Sequence, residues 1–451
     1  MGVMSVHRLL LATSIPMVIS MLVQALYNIT DSIFVAHFSE TALTAVTMAF
    51  PIQFLMISVG IGTGVGINAF LSKSLGEKNY RYVNRTATNG LFLAGMSFLV
   101  FVVIGVFATD WYFQSQTSDP EILRNGREYM MVVCIFSYAI FAQVTLERLL
   151  MSTGKTIYSM YAQLSGAVVN IILDPIMIFG LLGCPRLGVM GAALATVIGQ
   201  TVASLVALHL NLKKNTEINL SFKGFRPDWR IIRRIYSVGV PSILMASLGA
   251  IMTYGLNAIL LSFSTTAVAV FGVYFRLQSF IVMPVFGLNN GMVPIIAYNY
   301  GARKRDRIDQ TIKLSVMYAV SIMVLGMIIF QLFPVQILRL FNASPTMLAI
   351  GVPALRIIST HFIFASFCII FISVFQALGN GIESLIIAFA RQLIFILPIA
   401  WLLSLTGNIH AVWWAFPIAE GATLIFSFLM LRRVYNRKLR YLTPLPTPPP
   451  A

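Results

Sequence analysis

The sequence predicts an all-α polytopic membrane protein: twelve transmembrane helices in two six-helix lobes related by a pseudo-two-fold axis along the membrane normal. Three observations carry that expectation: composition, twelve apolar windows of spanning length, and an internal duplication. Of 451 residues, 58% are apolar and 10% charged, against roughly 25% charged in an ordinary soluble domain. Twelve crossings of about 20 to 25 residues occupy roughly 270 residues, which leaves short loops rather than a sizeable further domain. A soluble enzyme is disfavoured at once.

The apolar windows fall at 9–36, 43–72, 86–108, 126–152, 159–181 and 189–212, then at 237–262, 266–297, 312–333, 346–376, 385–406 and 411–431. Inside hydrocarbon every backbone amide needs an internal partner, so runs this long and continuously apolar fit helices rather than the alternating strands of a barrel. His7 and Arg8 precede the first window as they would in a secretory signal. That run continues through Tyr27, Asn28 and Asp31 to Phe38 without a small-residue cleavage site, so it reads as a retained span.

Charge placement gives the orientation. Of 31 Lys and Arg, 23 fall on one set of alternate loops: Arg8, four from Lys73 to Arg85, Lys155, seven from Lys213 to Arg234, five from Arg303 to Lys313 and five from Arg432 to Arg440. The opposite loops hold Arg124, Arg127, Arg186 and Arg339, and Arg148, Arg276, Arg356 and Arg391 fall inside windows. The positive-inside rule then makes both termini cytoplasmic. The formal charge of +16 is accounted for by topology and by membrane lipids rather than by a nucleic-acid partner. Cys134, Cys184 and Cys368 lack the spacing of a zinc site or a disulfide framework.

A constant shift of 225 residues superposes Pro16 on Pro241, Phe38 on Phe263, Gln53 on Gln278, Gly62 on Gly287, Gly66 on Gly291, Gly76 on Gly301 and Gly154 on Gly379. One register held through loops as well as helices favours duplication over chance. The expected organisation is a first lobe over 1–215, a cytoplasmic linker over 216–236, a second lobe over 237–440 and a disordered, proline-rich tail over 441–451. Six spans per half make the repeats parallel.

Ionisable groups inside spans cost about 2.5 to 3.5 kcal/mol on insertion scales, so each is a candidate site. Four acids qualify: Asp31, Glu147, Asp174 and Glu420. Glu147 is expected to snorkel or pair with Arg148, and Glu420 either to pair with an intramembrane Arg or to serve transport. Asp31 and Asp174 each belong to a polar stripe. Ser20, Gln24, Asn28 and Asp31 recur at helical intervals with Tyr27 beside them, as do Gln163, Asn170 and Asp174 in span five. Counting about 1.5 Å per residue puts both carboxylates in the outer half of a roughly 30 Å core. Pro175 cannot donate a backbone hydrogen bond and frees the carbonyl of Ile171. With Asn170 and Thr196 these groups would form an oxygen-rich pocket suited to a small hard cation or a proton. Gln24, Tyr27, Asn28 and Gln163 would support that pocket or bind substrate. Gly60, Gly62, Gly64 and Gly66 are expected to serve close helix packing first and bending second.

Pro16 with Asp31 fifteen residues later, the string Asn170-Ile-Ile-Leu-Asp174-Pro175, Gly191-Ala-Ala-Leu-Ala-Thr196 and the Gly76 and Gly301 loops together resemble the multidrug and toxic compound extrusion (MATE) family. The resemblance covers residues 5–435 and is nearest the bacterial branch whose first lobe carries the coupling acids. It implies a secondary active exporter, not an enzyme, that exchanges cationic amphipathic drugs for inward H⁺ or Na⁺ by alternating access. Such a protein would be a monomer in the bacterial inner (cytoplasmic) membrane, with no cofactor beyond the coupling ion. Carried over by position, Asp31, Asn170, Asp174 and Thr196 would form the ion-coupling site and the Na⁺ ligands, if Na⁺ is the ion. Tyr129 would support them, with Pro16 and Pro175 as hinges. Span seven around Gly249 and Ala250 lacks the Glu, and span ten the Asp, of the branch that couples through its second lobe. The alternative function is that of a lipid-linked precursor flippase of the same superfamily, whose members usually carry more spans and a cationic cavity. A membrane enzyme would need a clustered nucleophile, His pair or metal motif, and a channel a filter-like repeat.

Overall fold

A computed structural model describes residues 1–341, 343–440 and 442. The tail expected over 441–451 lies, apart from Leu442, outside the described residues. Those residues are helical almost throughout. Among the described residues, ten helices are long and apolar enough to cross a membrane, and twelve spans result if each of two bent pairs counts as one.

In chain order the first seven helices are α1 (Val6–Phe38), α2 (Glu40–Gly76), α3 (Tyr80–Gln114), α4 (Pro120–Ile135), α5 (Tyr138–Ser152), α6 (Thr156–Phe179) and α7 (Val189–Lys214). They are followed by α8 (Trp229–Leu261), α9 (Thr265–Gly301), α10 (Arg305–Leu332), α11 (Pro334–Arg339), α12 (Pro345–Ser359) and α13 (Phe362–Ala377). The last spans are α14 (Gly381–Phe389), running through a π-helical segment (Ala390–Ile396) into α15 (Leu397–Ser404), and α16 (Ile409–Trp413) with α17 (Ala415–Val434), which ends in a second π-helical segment (Tyr435–Leu439).

The duplication survives in backbone detail. The pair α4/α5 is bent by 45° and the pair α12/α13 by 50°, each pair opening on a proline, Pro120 and Pro345, which the 225-residue shift superposes. Ser39 and Ser264 cap α2 and α9 by accepting from Ala42 and Ala267 N–H. Lys78 and Arg303 share a left-handed φ, 56° and 54°, as do Gly154 and Gly379 at 81° and 74°. Such conformations are rare outside glycine, so their recurrence at one spacing marks two copies of one backbone design.

The chain forms two compact units, Ile15–Gly239 and Met1–Ser14 with the described residues from Val240 onward. These borders differ from the halves expected at 1–215 and 237–440. The connecting stretch folds onto the N-terminal unit: Asn84 Oδ1 accepts from Asn219 N–H, Asn89 Oδ1 accepts from Asp228 N–H, Arg85 pairs with Asp228 at 3.3 Å, and Lys155 pairs with Glu217 at 2.6 Å. The start of α8 belongs there too, because Gly66 lets the Ile235 carbonyl approach α2 and Gly62 faces Gly239. In the C-terminal unit, Leu9 and Leu10 at the start of α1 join the buried cluster of Leu288, Met292 and Ile296, and Thr13 and Ser14 hydroxyls donate to the carbonyls of Gly291 and Leu288. The unit borders thus fall beside Pro16 and Pro241, the superposed prolines.

Of Gly60, Gly62, Gly64 and Gly66 in α2, Gly66 makes a close backbone approach, and Gly64 makes room for the Arg148 side chain, whose Cγ would lie 2.7 Å from an added Cβ. Close packing is therefore their observed use. A Gly66→Leu substitution drives its side chain into the Ile235 carbonyl and should remove about 1 to 3 kcal/mol or more of stability. Gly95→Ala on α3, with no atom within 4 Å of the added Cβ, should leave melting of the detergent-solubilised protein unchanged.

Candidate functional site

The site lies within the N-terminal unit and begins with a pair of glycines. Gly166 on α6 and Gly199 on α7 face one another so closely that a Cβ on either would sit 2.7 Å from the other's carbonyl oxygen. Gly191 similarly abuts the Met177 carbonyl. Glycines remove the side-chain layer that normally keeps helix axes 8–10 Å apart. The polar residues one turn along are thereby brought into contact.

Those residues are Asn170 and Asp174 on α6 and Thr196 on α7, all buried, with Asp174 0% exposed. The Asn170 amide nitrogen donates to Asp174 Oδ2 at 3.1 Å while its oxygen accepts from the Thr196 N–H at 3.1 Å. From α1, Asp31 brings its carboxyl within hydrogen-bonding reach of Asp174, and the Tyr27 hydroxyl reaches Thr196. Asp31 keeps partial exposure where Asp174 has none, so of the two acids Asp31 stands nearer the surface. Asp31 Oδ1 is itself buried, with no donor among the described residues.

Around this pair, Gln163 donates to Gln24 at 3.0 Å, tying α6 to α1. Gln53 of α2 donates to the hydroxyl of buried Tyr129 at 3.3 Å, and a cavity of about 10 Å³ lies against both, room for about one water. Pro175 follows Asp174 inside α6, which ends four residues later at Phe179, with Gly180 as its left-handed cap. Pro16 is buried inside an unbroken α1.

Asn28, expected to support the pocket or bind substrate, is exposed. Each four-residue step advances a helix by about 40°, so the stripe through Ser20 and Gln24 has rotated off the buried face by Asn28, and the three-residue step to Asp31 returns to it. Gln53, Gly166 and Gly199 were not read from the sequence as site residues. Gln53 stood only as a marker of the duplication, and the signal for the glycines was the small-residue spacing Gly199-xxx-Ala203 opposite Gly166.

A multi-pass helical bundle of two like units, one enclosing a pair of buried carboxyls, has the architecture of a membrane transporter. The chain belongs to the MatE family: the family's model matches residues 16–176 and again 241–402, segments that begin 225 residues apart. It is 28% identical over 434 residues to the multidrug export protein MepA of Staphylococcus haemolyticus, covering 96% of this chain and 95% of that one. It is 26% identical to its counterpart in Staphylococcus aureus over the same shares. Among solved structures, it is similar to an outward-facing multidrug resistance MATE family transporter of the MOP superfamily, with a TM-score of 0.88, 27% identity, and 95% and 96% of the two chains covered. It is also similar to a MATE crystal structure in the straight conformation, with a TM-score of 0.89, 26% identity, and 96% and 97% covered. These relatives are transporters and export proteins, not enzymes.

Thr196→Val removes the hydroxyl that meets Tyr27 and should lower stability by about 1 to 3 kcal/mol. Thr47→Val, which loses only an exposed bond to the Leu43 carbonyl, should change it by no more than about 0.5 kcal/mol. Thermal melts of the two variants make the comparison.

Proposed function

We propose that this protein is a multidrug exporter that expels cationic amphipathic compounds in exchange for an inward coupling ion, with Asp31 and Asp174 as the coupling site. The observation that carries this reading is the approach of the two carboxyls inside the N-terminal unit. Two negative charges about 4 Å apart repel by about 4 kcal/mol even at an effective dielectric of 20. The pair therefore holds together only with a positive charge between or beside its members, as in any buried acid dyad.

That requirement makes the inbound ion and the outbound organic cation alternatives. With an ion bound, the pair loses attraction for a cationic drug; with the ion gone, its charge is restored. Linkage then requires the drug to weaken ion binding by the same factor. Pro16 and Pro175 supply the points at which α1 and α6 yield. The donor set of carboxylates, amide and hydroxyl suits either H⁺ or Na⁺. Multidrug export by the similar MepA proteins supports the substrate class.

Energetics favour using both acids. One proton exchanged for one monovalent cation cancels the membrane-potential contribution and leaves about 1.4 kcal/mol per pH unit. A second coupled positive charge adds about 2.3 kcal/mol per 100 mV. The reading further places a monomeric protein in the bacterial cytoplasmic membrane with both termini cytoplasmic, as the distribution of Lys and Arg supports. A lipid-precursor flippase is the weaker reading, because the charged pair here is acidic.

The test is uptake of a fluorescent organic cation into inverted vesicles. An acidic lumen should drive accumulation in the wild type, with an imposed sodium gradient as the second arm. Asp31→Asn and Asp174→Asn should each abolish ion-driven uptake; full transport by both variants would remove the proposal.

A further inference from the structure

The C-terminal unit contains a second cluster of ionisable side chains that the coupling site does not use. Glu420 on α17 is 1% exposed and paired with the Arg391 guanidinium, which extends from the π-helical segment. His361 stands at the bend between α12 and α13 with its Nδ1 3.7 Å from Glu420 Oε1, and its Nε2 2.8 Å from the hydroxyl of Tyr274 on α9. Cys368, on α13, also reaches Glu420. Ser427 of α17 lies against Cys368, the rings of Phe362 and Phe416 flank the imidazole, and α10 contributes Phe330 against Tyr274 and Phe362. Arg356 on α12 is exposed.

The duplication does not account for this cluster. On the 225-residue register Arg391 occupies the place of Gly166, Glu420 that of Ala195 and His361 that of Phe136. Where the N-terminal unit closes two helices over glycine, this one holds an ion pair. The arrangement is also incomplete. Among the described residues, Nδ1 of His361 and Oε2 of Glu420 are buried without a hydrogen-bond partner, and unsatisfied buried groups of this kind call for an explanation. A hydrogen on Nδ1 answers the first of these, and the neutral Nδ1–H tautomer already carries one; protonation adds a second donor, at Nε2 toward Tyr274, and sets a second positive charge beside Glu420.

We propose that His361 is a proton-binding site of the C-terminal unit, and that its proton competes with Arg391 for the carboxylate of Glu420. A hydronium ion transfers its proton to the imidazole and leaves as water; Glu420 then has two cationic neighbours. Arg391 is the member that yields, because its side chain keeps 18% exposure while Glu420 and His361 keep 1% each. Its π-helical turn supports such a change of partner, since π-bulges are uncommon and concentrate at functional sites. Beside that turn, Ala390 and Ile394 line an apolar cavity of about 430 Å³. The site is separate from the carboxyl pair of the N-terminal unit and does not depend on its role.

The test uses the full-length protein labelled with ¹⁵N-histidine, the His361 signal being assigned by its loss in His361→Gln. At about pH 6, inside the range where histidine changes charge, Arg391→Gln should raise the charged-to-neutral ratio of that imidazole about tenfold and Glu420→Gln should lower it about tenfold, each equivalent to one pH unit. Opposite signs are what partner exchange requires; no change in either variant, or changes of the same sign, overturns the proposal. Should removal of one partner unfold the chain, proton uptake between about pH 8 and pH 5 decides it. The wild type should take up one proton more than His361→Gln, and equal uptake refutes the site. Either result leaves the Asp31 and Asp174 transport experiment unaffected.

Discussion

Two carboxyl groups held within hydrogen-bonding reach in the interior of a helical unit cannot both keep their charge without a third party. Much of the N-terminal unit is arranged around that constraint. Asp174 is fully buried on α6, Asp31 reaches it from α1 while remaining partly exposed, and Asn170 and Thr196 hold the deeper acid in place. An ion-pair partner from the protein would satisfy the pair permanently. No arginine or lysine takes that place among the described residues, and it is this opening that the proposed coupling role uses.

The C-terminal unit solves the same problem in the opposite way. Its buried acid, Glu420, has a resident cation in Arg391 and a histidine on its other side. The two units share helix caps, bends and left-handed turns at a fixed spacing, yet place different chemistry between equivalent helices. Duplication preserved the scaffold while side chains diverged, which is how one fold can carry two kinds of ionisable centre.

Packing in both units relies on close approach rather than on large apolar knobs. Within a bilayer lipid tails are as apolar as leucine, so helix association gains little from burial and depends on van der Waals fit and on polar bonds between helices. Gly166 with Gly199, Gly66 with Ile235 and Gly291 with Ser14 meet that need at three places. In the first of these, the approach that stabilises the helix pair also sets the distance between Asn170 and Thr196, so packing and site geometry have one cause.

The class of fold was written in local sequence properties. Apolar windows of spanning length dictate helices because backbone amides have no other partner in hydrocarbon, and the 225-residue register exposes the duplication without any coordinates. The stripe through Gln24 and Asp31, and that through Gln163, Asn170 and Asp174, likewise follow from helical periodicity, which also explains the exposure of Asn28, where a repeated four-residue step carries the stripe off the buried face. What periodicity cannot contain is which stripe meets which. The contact of Asp31 with Asp174, the pairing of Gln53 with Tyr129, the partnership of Glu420 with Arg391 and His361, and the unit borders beside Pro16 and Pro241 all join residues far apart in the chain. Each was decided by how closely particular helices could pack, and that depends on the shapes of both surfaces at once.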